Sequence, residues 1–194
     1  MSGQHDELPV PARVRRLEER MIAAGLTTDA ELDGILEQVF TSASPVNGAR
    51  MVARAWKNPG YRERLLADGN AAAAELGFGA GSHGYLLKVV ENTATVHNVI
   101  VCTLCSCYPT ALLGPSPSWY KSFSYRSRVV REPRAVLAEF GLELPDGTKI
   151  QVWDANSESR YLVLPLPPEA ADETDEGVLA SLVTRNWLIG TAVR

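Results

Sequence analysis

A chain of 194 residues that is 45% hydrophobic can fill one full core and still carry an appended arm. Its net charge of -4 offers no basic stripe to nucleic acid. The longest apolar runs, "AAAAELGF" and "HNVIVC", fall far short of the roughly 20 residues of a spanning helix, and "MSGQHDELPVPARVRR" lacks the apolar centre of a signal peptide. These features predict a cytoplasmic protein with neither nucleic acid nor membrane among its partners.

Four helical stretches open the chain. "PARVRRLEERMIAAG" places Val14, Leu17, Met21 and Ala24 at helical spacing and stops at Gly25. "TDAELDGILEQVF" starts on a capping box, Thr28 with Glu31, and is expected to bury Leu32, Ile35, Leu36 and Val39. "PVNGARMVARAWKNP" lies between two prolines, with Pro45 near its start. "YRERLLADGNAAAAELG" reads as one helix loosened at Asp68–Gly69 and ended at Gly77. Composition then changes at "GFGAGSHG", which marks a joint between a helical arm, residues 1–76, and a main domain, residues 77–194.

"YLLKVVEN" and "VHNVIVC" have the length and β-branched content of strands. His97 and Asn98, in the second, are expected to serve the core. "LLGPSPSWYKSFSYRSRVVREP" reads as loop and helix, and "PRAVLAEFG" as a short helix from Pro133 to Gly141. "TKIQVWD" and "RYLVLP" are expected to pair across the polar turn "ANSES". An acidic loop, "PLPPEAADETDEG", leads to a closing helix, "VLASLVTRNWLIG". Helices first, then a mixed sheet with helices, predict an α+β fold in layers.

All three cysteines, Cys102, Cys105 and Cys107, fall within "VCTLCSCYP". An odd, clustered set is no disulfide framework, and simple core packing explains neither the clustering nor the interleaved Thr103 and Ser106. Cys102 and Cys105 have the spacing of a zinc knuckle that His83 or His97 would complete, but no second C-x-x-C exists. A thioredoxin-like pair leaves Cys107 without a role, and iron–sulfur ligation asks for four cysteines or a longer spacing. A tight claw is a further geometric option, in which three thiolates and the peptide nitrogens of Ser106 and Cys107 face one centre. Such donors favour a low-spin trivalent metal over zinc, and that ion is a Lewis acid at neutral pH.

"VCTLCSCYP" also resembles the metal-binding motif of the nitrile hydratase α subunit. The similarity continues through "WYKSFSYRSRVVREPRAVLAEFGLELP", "VWD", "RYLVLP" and "LVTR", over residues 25–190. Thr103 and Tyr108 look like the cobalt-type variant; iron-type members usually carry serine and threonine there. The resemblance implies an α+β fold of the nitrile hydratase α-subunit type, with a helical arm ahead of a layered α/β domain. It implies one Co(III) per chain, with Fe(III) less favoured, bound by Cys102, Cys105, Ser106 and Cys107. Cys102 is then the axial thiolate. Cys105 and Cys107 are equatorial and oxidised to sulfinate and sulfenate, and both are catalytic. The activity implied is hydration of a nitrile to its amide, with water or the sulfenate oxygen as nucleophile and no redox turnover.

In the family two arginines of the β subunit pair with the oxidised sulfurs. The resemblance therefore implies a partner, either a β-type subunit or two smaller equivalents, and leaves the isolated chain open to self-association. An activator for cobalt insertion is a further candidate partner. Arg126 and Arg128 of this chain are expected to make structural ion pairs or subunit contacts.

Two positions depart from the family pattern. His83 stands where the family has a glutamine that hydrogen-bonds near the site, nineteen residues before the first cysteine. Thr110 stands where the family usually has tryptophan after "CYP"; the smaller residue either enlarges the pocket for a bulky or heteroaromatic nitrile such as toyocamycin or reflects different partner packing. Both are candidate substrate contacts or supports of the site. Two alternatives stay open: the metal-bearing subunit of thiocyanate hydrolase, and a non-catalytic cobalt carrier.

Overall fold

The computed structural model describes residues 8–79 and 84–192. It divides into two compact units, Met1–Thr41 and Ser42–Arg194. In the first, helix α1 (Val10–Ala23) ends in a Schellman motif, with Gly25 at φ 67°, the Gly25 N–H donating to Ile22 O and the Leu26 N–H to Met21 O. Helix α2 (Asp29–Ser42) opens on the expected capping box: Thr28 N–H donates to Glu31 Oε2 at 2.9 Å and Glu31 N–H to Thr28 Oγ1 at 3.2 Å.

The apolar stripes of these helices do not form a core. Ile35 and Leu36, expected inside, are 58% and 52% exposed. Leu32 is half-buried, and the Val39 side chain lies outside the described residues. Two short helices have too little apolar volume to bury both their inner faces.

The second unit holds the core. Helix α3 (Pro45–Lys57) buries Gly48, Ala49, Met51, Val52, Ala53 and Ala55. Helices α4 (Pro59–Ala67) and α5 (Gly69–Glu75) follow, separated at Asp68, whose carboxylate caps α5 by accepting from Ala71 N–H at 3.0 Å. The compact units divide after Thr41, so α3, α4 and α5 belong to the second of them. Small residues on α3 explain this, because they let the helix press directly on the main core. A side chain at Gly48 would meet Leu112 O and Leu188 Cδ1 at 2.8 Å.

Four strands were expected and four are seen among the described residues, but their pairing differs. Strand β1 (Leu86–Glu91) pairs in parallel with β4 (Ser159–Leu164), and β2 (Val96–Val101) pairs in parallel with β3 (Lys149–Asp154). "ANSES" is thus a crossover between two small sheets and not a hairpin turn. The backbone donors and acceptors of β3 go to β2, and those of β4 to β1. Continuous burial along β2 and β4 suits parallel strands covered on both faces. The α+β class holds.

After β2 come α6 (Thr110–Leu113), a 3-10 turn (Ser118–Lys121), α7 (Phe123–Arg128) and α8 (Pro133–Glu139). The closing helix is two pieces, α9 (Glu176–Leu182) and α10 (Arg185–Ile189), broken where Val183 is extended. Among the described residues no helix is long and apolar enough to cross a membrane.

Gly190 ends α10 at φ 85°, and a Cβ there would sit 1.9 Å from Asn98 O on β2. Its own carbonyl accepts from buried His97 Nε2 at 2.7 Å, and burial lowers the His97 pKa, so this histidine is a neutral core group. Gly190→Ala must combine a left-handed alanine with a backbone clash. It is expected to cost about 2–5 kcal/mol and lower Tm by roughly 5–15 °C, as thermal unfolding would show.

Candidate metal centre

The three cysteines sit on the loop that leaves the carboxyl end of β2. Their sulfur atoms lie within 4.8 Å of one another. Cys102 and Cys105 Sγ are 3.5 Å apart, and Cys105 and Cys107 Sγ are 3.2 Å apart. Cys102 is fully buried, Cys107 half-buried and Cys105 exposed, so the cluster opens to one side. The main chain turns inward with the sulfurs: Cys105 N–H donates to Cys102 Sγ at 3.3 Å. The neighbouring peptide N–H groups of Ser106 and Cys107 help to lower the Cys105 pKa.

Neighbouring elements fix this loop from three sides. Val101, the last residue of β2, is in register with Asp154, the last of β3. The Asp154 carboxylate accepts from Thr103 N–H at 2.9 Å and from Thr103 Oγ1 at 2.6 Å. Below the loop, buried Tyr125 donates to Ile100 O at 2.6 Å and buried Tyr120 to Cys107 O at 3.1 Å. Burial pushes both phenols far above the ordinary tyrosine range, so they remain donors. Trp119 and Phe140 complete this aromatic floor, with ring centroids 4.7 Å apart in an edge-on contact. From α7, Arg126 Nη1 donates to Cys105 O at 3.0 Å.

The thiols are electrostatically unequal. The hydrogen bond from Cys107, followed by those from Cys102 and the Ser106 N–H, pulls Cys105 down to about 7. Burial first, then Cys105, pushes Cys107 up to about 12, against the opposing charge of Arg160. Arg160 stacks on Tyr85 with its guanidinium 5.0 Å from the ring centre and donates to Asn156 O. A thiolate is therefore available near neutrality, and a cation placed among the sulfurs would draw out the remaining protons.

The donor set suits a metal. Two sulfurs bound at right angles, each about 2.3 Å from one ion, stand roughly 3.3 Å apart, and in a tetrahedron roughly 3.8 Å. Separations of 3.2 and 3.5 Å are nearer the right-angled arrangement. The peptide nitrogens of Ser106 and Cys107, next in the chain to these sulfurs, are further donors that a tetrahedral zinc site does not need.

The matching family model is that of the nitrile hydratase alpha chain, over residues 9–192. The chain belongs to this family. The cobalt-containing nitrile hydratase subunit alpha of Pseudonocardia thermophila is 47% identical over 190 residues, covering 97% of this chain and 93% of that protein. The thiocyanate hydrolase subunit gamma of Thiobacillus thioparus is 43% identical, covering 91% and 76%. A solved Fe-type nitrile hydratase from Comamonas testosteroni Ni1, a double mutant, superposes with a TM-score of 0.87 at 41% identity, covering 93% of this chain and 88% of that one.

The structure brings Cys102, Cys105, Ser106 and Cys107 together. Thr110 begins α6 immediately beyond and is half-buried. His83 lies outside the described residues. His97, weighed above as a zinc ligand, is five residues before Cys102 on an extended strand, about 16 Å away. Its ring is occupied by Gly190 O and Asn92. Arg128 makes the expected structural ion pairs, at 2.6 Å to both Glu132 and Glu139. Arg126 makes none of the described ion pairs and turns to the cysteine loop instead. The supporting roles of Asp154, Tyr120 and Tyr125 were not legible in the sequence, since each is brought to the loop only by tertiary pairing.

Proposed function

We propose that this chain is the metal-bearing subunit of a cobalt nitrile hydratase. Cys102, Cys105 and Cys107, with the main-chain nitrogens of Ser106 and Cys107, would hold one trivalent cobalt per chain. The observation that carries this reading is the convergence of three sulfurs within 4.8 Å of one another on the loop that leaves β2, beside the end of β3. Thr103 and Tyr108 favour cobalt over iron, as does the cobalt-containing relative at 47% identity. When bound, the ion supplies Lewis acidity toward the nitrile nitrogen.

The residues of this chain supply the rest. Cys105 and Cys107, as sulfinate and sulfenate, would present oxygens at the open side of the cluster, where the Cys107 oxygen would either orient water toward the nitrile carbon or add to that carbon itself, water then restoring the sulfenate oxygen as the amide leaves. Asp154 and Tyr120 hold the loop against collapse while the substrate is bound. Thr110, with a small side chain beside the cluster, shapes the room for a bulky or heteroaromatic nitrile, and His83 is a candidate substrate contact. A cytoplasmic setting belongs to this reading, because unpaired thiols stay reduced there until metal is inserted.

The site needs a partner. Leu104, 82% exposed on the loop, and Phe123, 78% exposed at the start of α7, are apolar side chains facing solvent close to the cysteines. Val10, Val14 and Leu17 form a second exposed stripe on α1. A β-type subunit or two smaller chains would cover both, with an activator to insert cobalt.

The assembled protein, purified from cobalt-supplemented cells, is expected to contain about one low-spin Co(III) per chain. Mass spectrometry should find two added oxygens on Cys105 and one on Cys107. Stoichiometric zinc, or exchangeable divalent cobalt on unmodified thiols, would defeat the assignment, the latter in favour of a carrier. Likeness to the thiocyanate hydrolase gamma subunit supports a second substrate reading. Parallel assays on aliphatic nitriles, toyocamycin and thiocyanate decide between them.

A further inference from the structure

We propose that Arg126 is a positioning residue that prepares the Cys105–Ser106 peptide to bind metal through the Ser106 nitrogen. This rests on the cobalt reading above. A peptide nitrogen that becomes a ligand releases its proton to solvent as the metal–nitrogen bond forms. The charge left behind is shared by resonance with the oxygen of the same peptide, and for Ser106 N that oxygen is Cys105 O. It is the atom that accepts from Arg126 Nη1 at 3.0 Å. A hydrogen bond from a guanidinium is about twice as strong as one between neutral groups, and more so when the acceptor gains charge.

Arg126 is built for this acceptor. Its neighbour Arg128 is neutralised by two glutamates, whereas Arg126 enters none of the described ion pairs. Its Nε is buried without a hydrogen-bond partner. A guanidinium held so close to the loop with an unmet donor is costly, and charge arriving on Cys105 O would offset that cost. The contrast with Tyr120 supports the assignment. Tyr120 donates to Cys107 O, which belongs to the Cys107–Tyr108 peptide, where no ligand nitrogen sits, and a neutral phenol serves there.

The test uses the full chain produced with its partner subunit under limiting cobalt, as wild type, Arg126→Gln, Arg126→Lys and Arg128→Gln. Cobalt per chain, the sulfur-to-cobalt absorption band and the thermal midpoint are measured. Arg126→Gln is expected to lose cobalt several-fold and to shift the band of what remains. Arg126→Lys, which keeps one charged donor, should recover at least half of the loading. Arg128→Gln should melt lower yet load fully. Full loading of Arg126→Gln with an unshifted band overturns the proposal, as does equal loss in Arg126→Gln and Arg128→Gln. If the glutamine variant does not fold, the lysine variant decides: a shifted band supports the role and an unshifted one refutes it. A wild type without cobalt defeats the metal reading and this role with it; a loaded wild type beside a fully loaded Arg126→Gln with an unshifted band defeats the role alone.

Discussion

Cys107→Ala is expected to abolish hydration. It removes one of three clustered sulfurs and the oxygen that the proposed chemistry places nearest the nitrile carbon. Loss of a ligand that maintains several kcal/mol of Lewis-acid stabilisation corresponds to roughly a thousandfold or more in rate. Cobalt per chain should fall in parallel. Cys105→Ala should behave alike, since its sulfur touches both others at 3.5 and 3.2 Å. Cys107→Ser keeps a hydroxyl but not the sulfur, and it too is expected to fail. Elemental analysis with a nitrile assay checks all three variants. Near-normal turnover in any of them would mean that the cluster is not the site.

The second large effect concerns assembly. The chain alone, loaded with cobalt and with its cysteine oxidation verified, is expected to be close to silent, and a nitrile hydratase β-type subunit should restore amide formation. A sulfinate, a sulfenate and a thiolate in a water-poor site need cationic partners worth several kcal/mol. Two arginines of this chain lie near, but each is already held by other groups. Arg126 is directed to the Cys105 carbonyl, and Arg160 is engaged by Asn156 O and the Tyr85 ring. On the proposed chemistry, the cations that pair with the sulfur oxygens would come from another polypeptide. Exposed Leu104 and Phe123 are the apolar side chains that such a partner would be expected to cover. An isolated chain that turns over at the rate of the complex would refute the shared site.

The cysteine loop was legible because its chemistry is local: three thiols within six residues leave few alternatives. Helix limits were legible for the same reason, since Thr28 with Glu31, Asp68 and Gly25 act on residues three or four positions away. Strand pairing was not. Nothing in "TKIQVWD" or "RYLVLP" tells whether each will bond to the other or to strands some 50 to 70 residues earlier. That choice depends on which faces the helices cover. The supports of the loop were hidden by the same cause. Asp154 meets Thr103 only because β2 and β3 run parallel in the observed register. The placement of Ile35 and Leu36 on the outside was likewise beyond periodicity, which identifies an apolar face but not what covers it.

The clamp between Asp154 and Thr103 sets an order of events during synthesis. Thr103 leaves the ribosome 51 residues ahead of its anchor, and Cys105 leaves 21 residues ahead of Arg126. At about 5–20 residues per second, the three thiols wait several seconds on a nascent chain before the strand that fastens their loop has been made. During that interval they are separate cysteines on a flexible peptide, open to any soft metal or oxidant. The loop can take its fastened form, and with it any preference among ions, only after translation has passed Asp154.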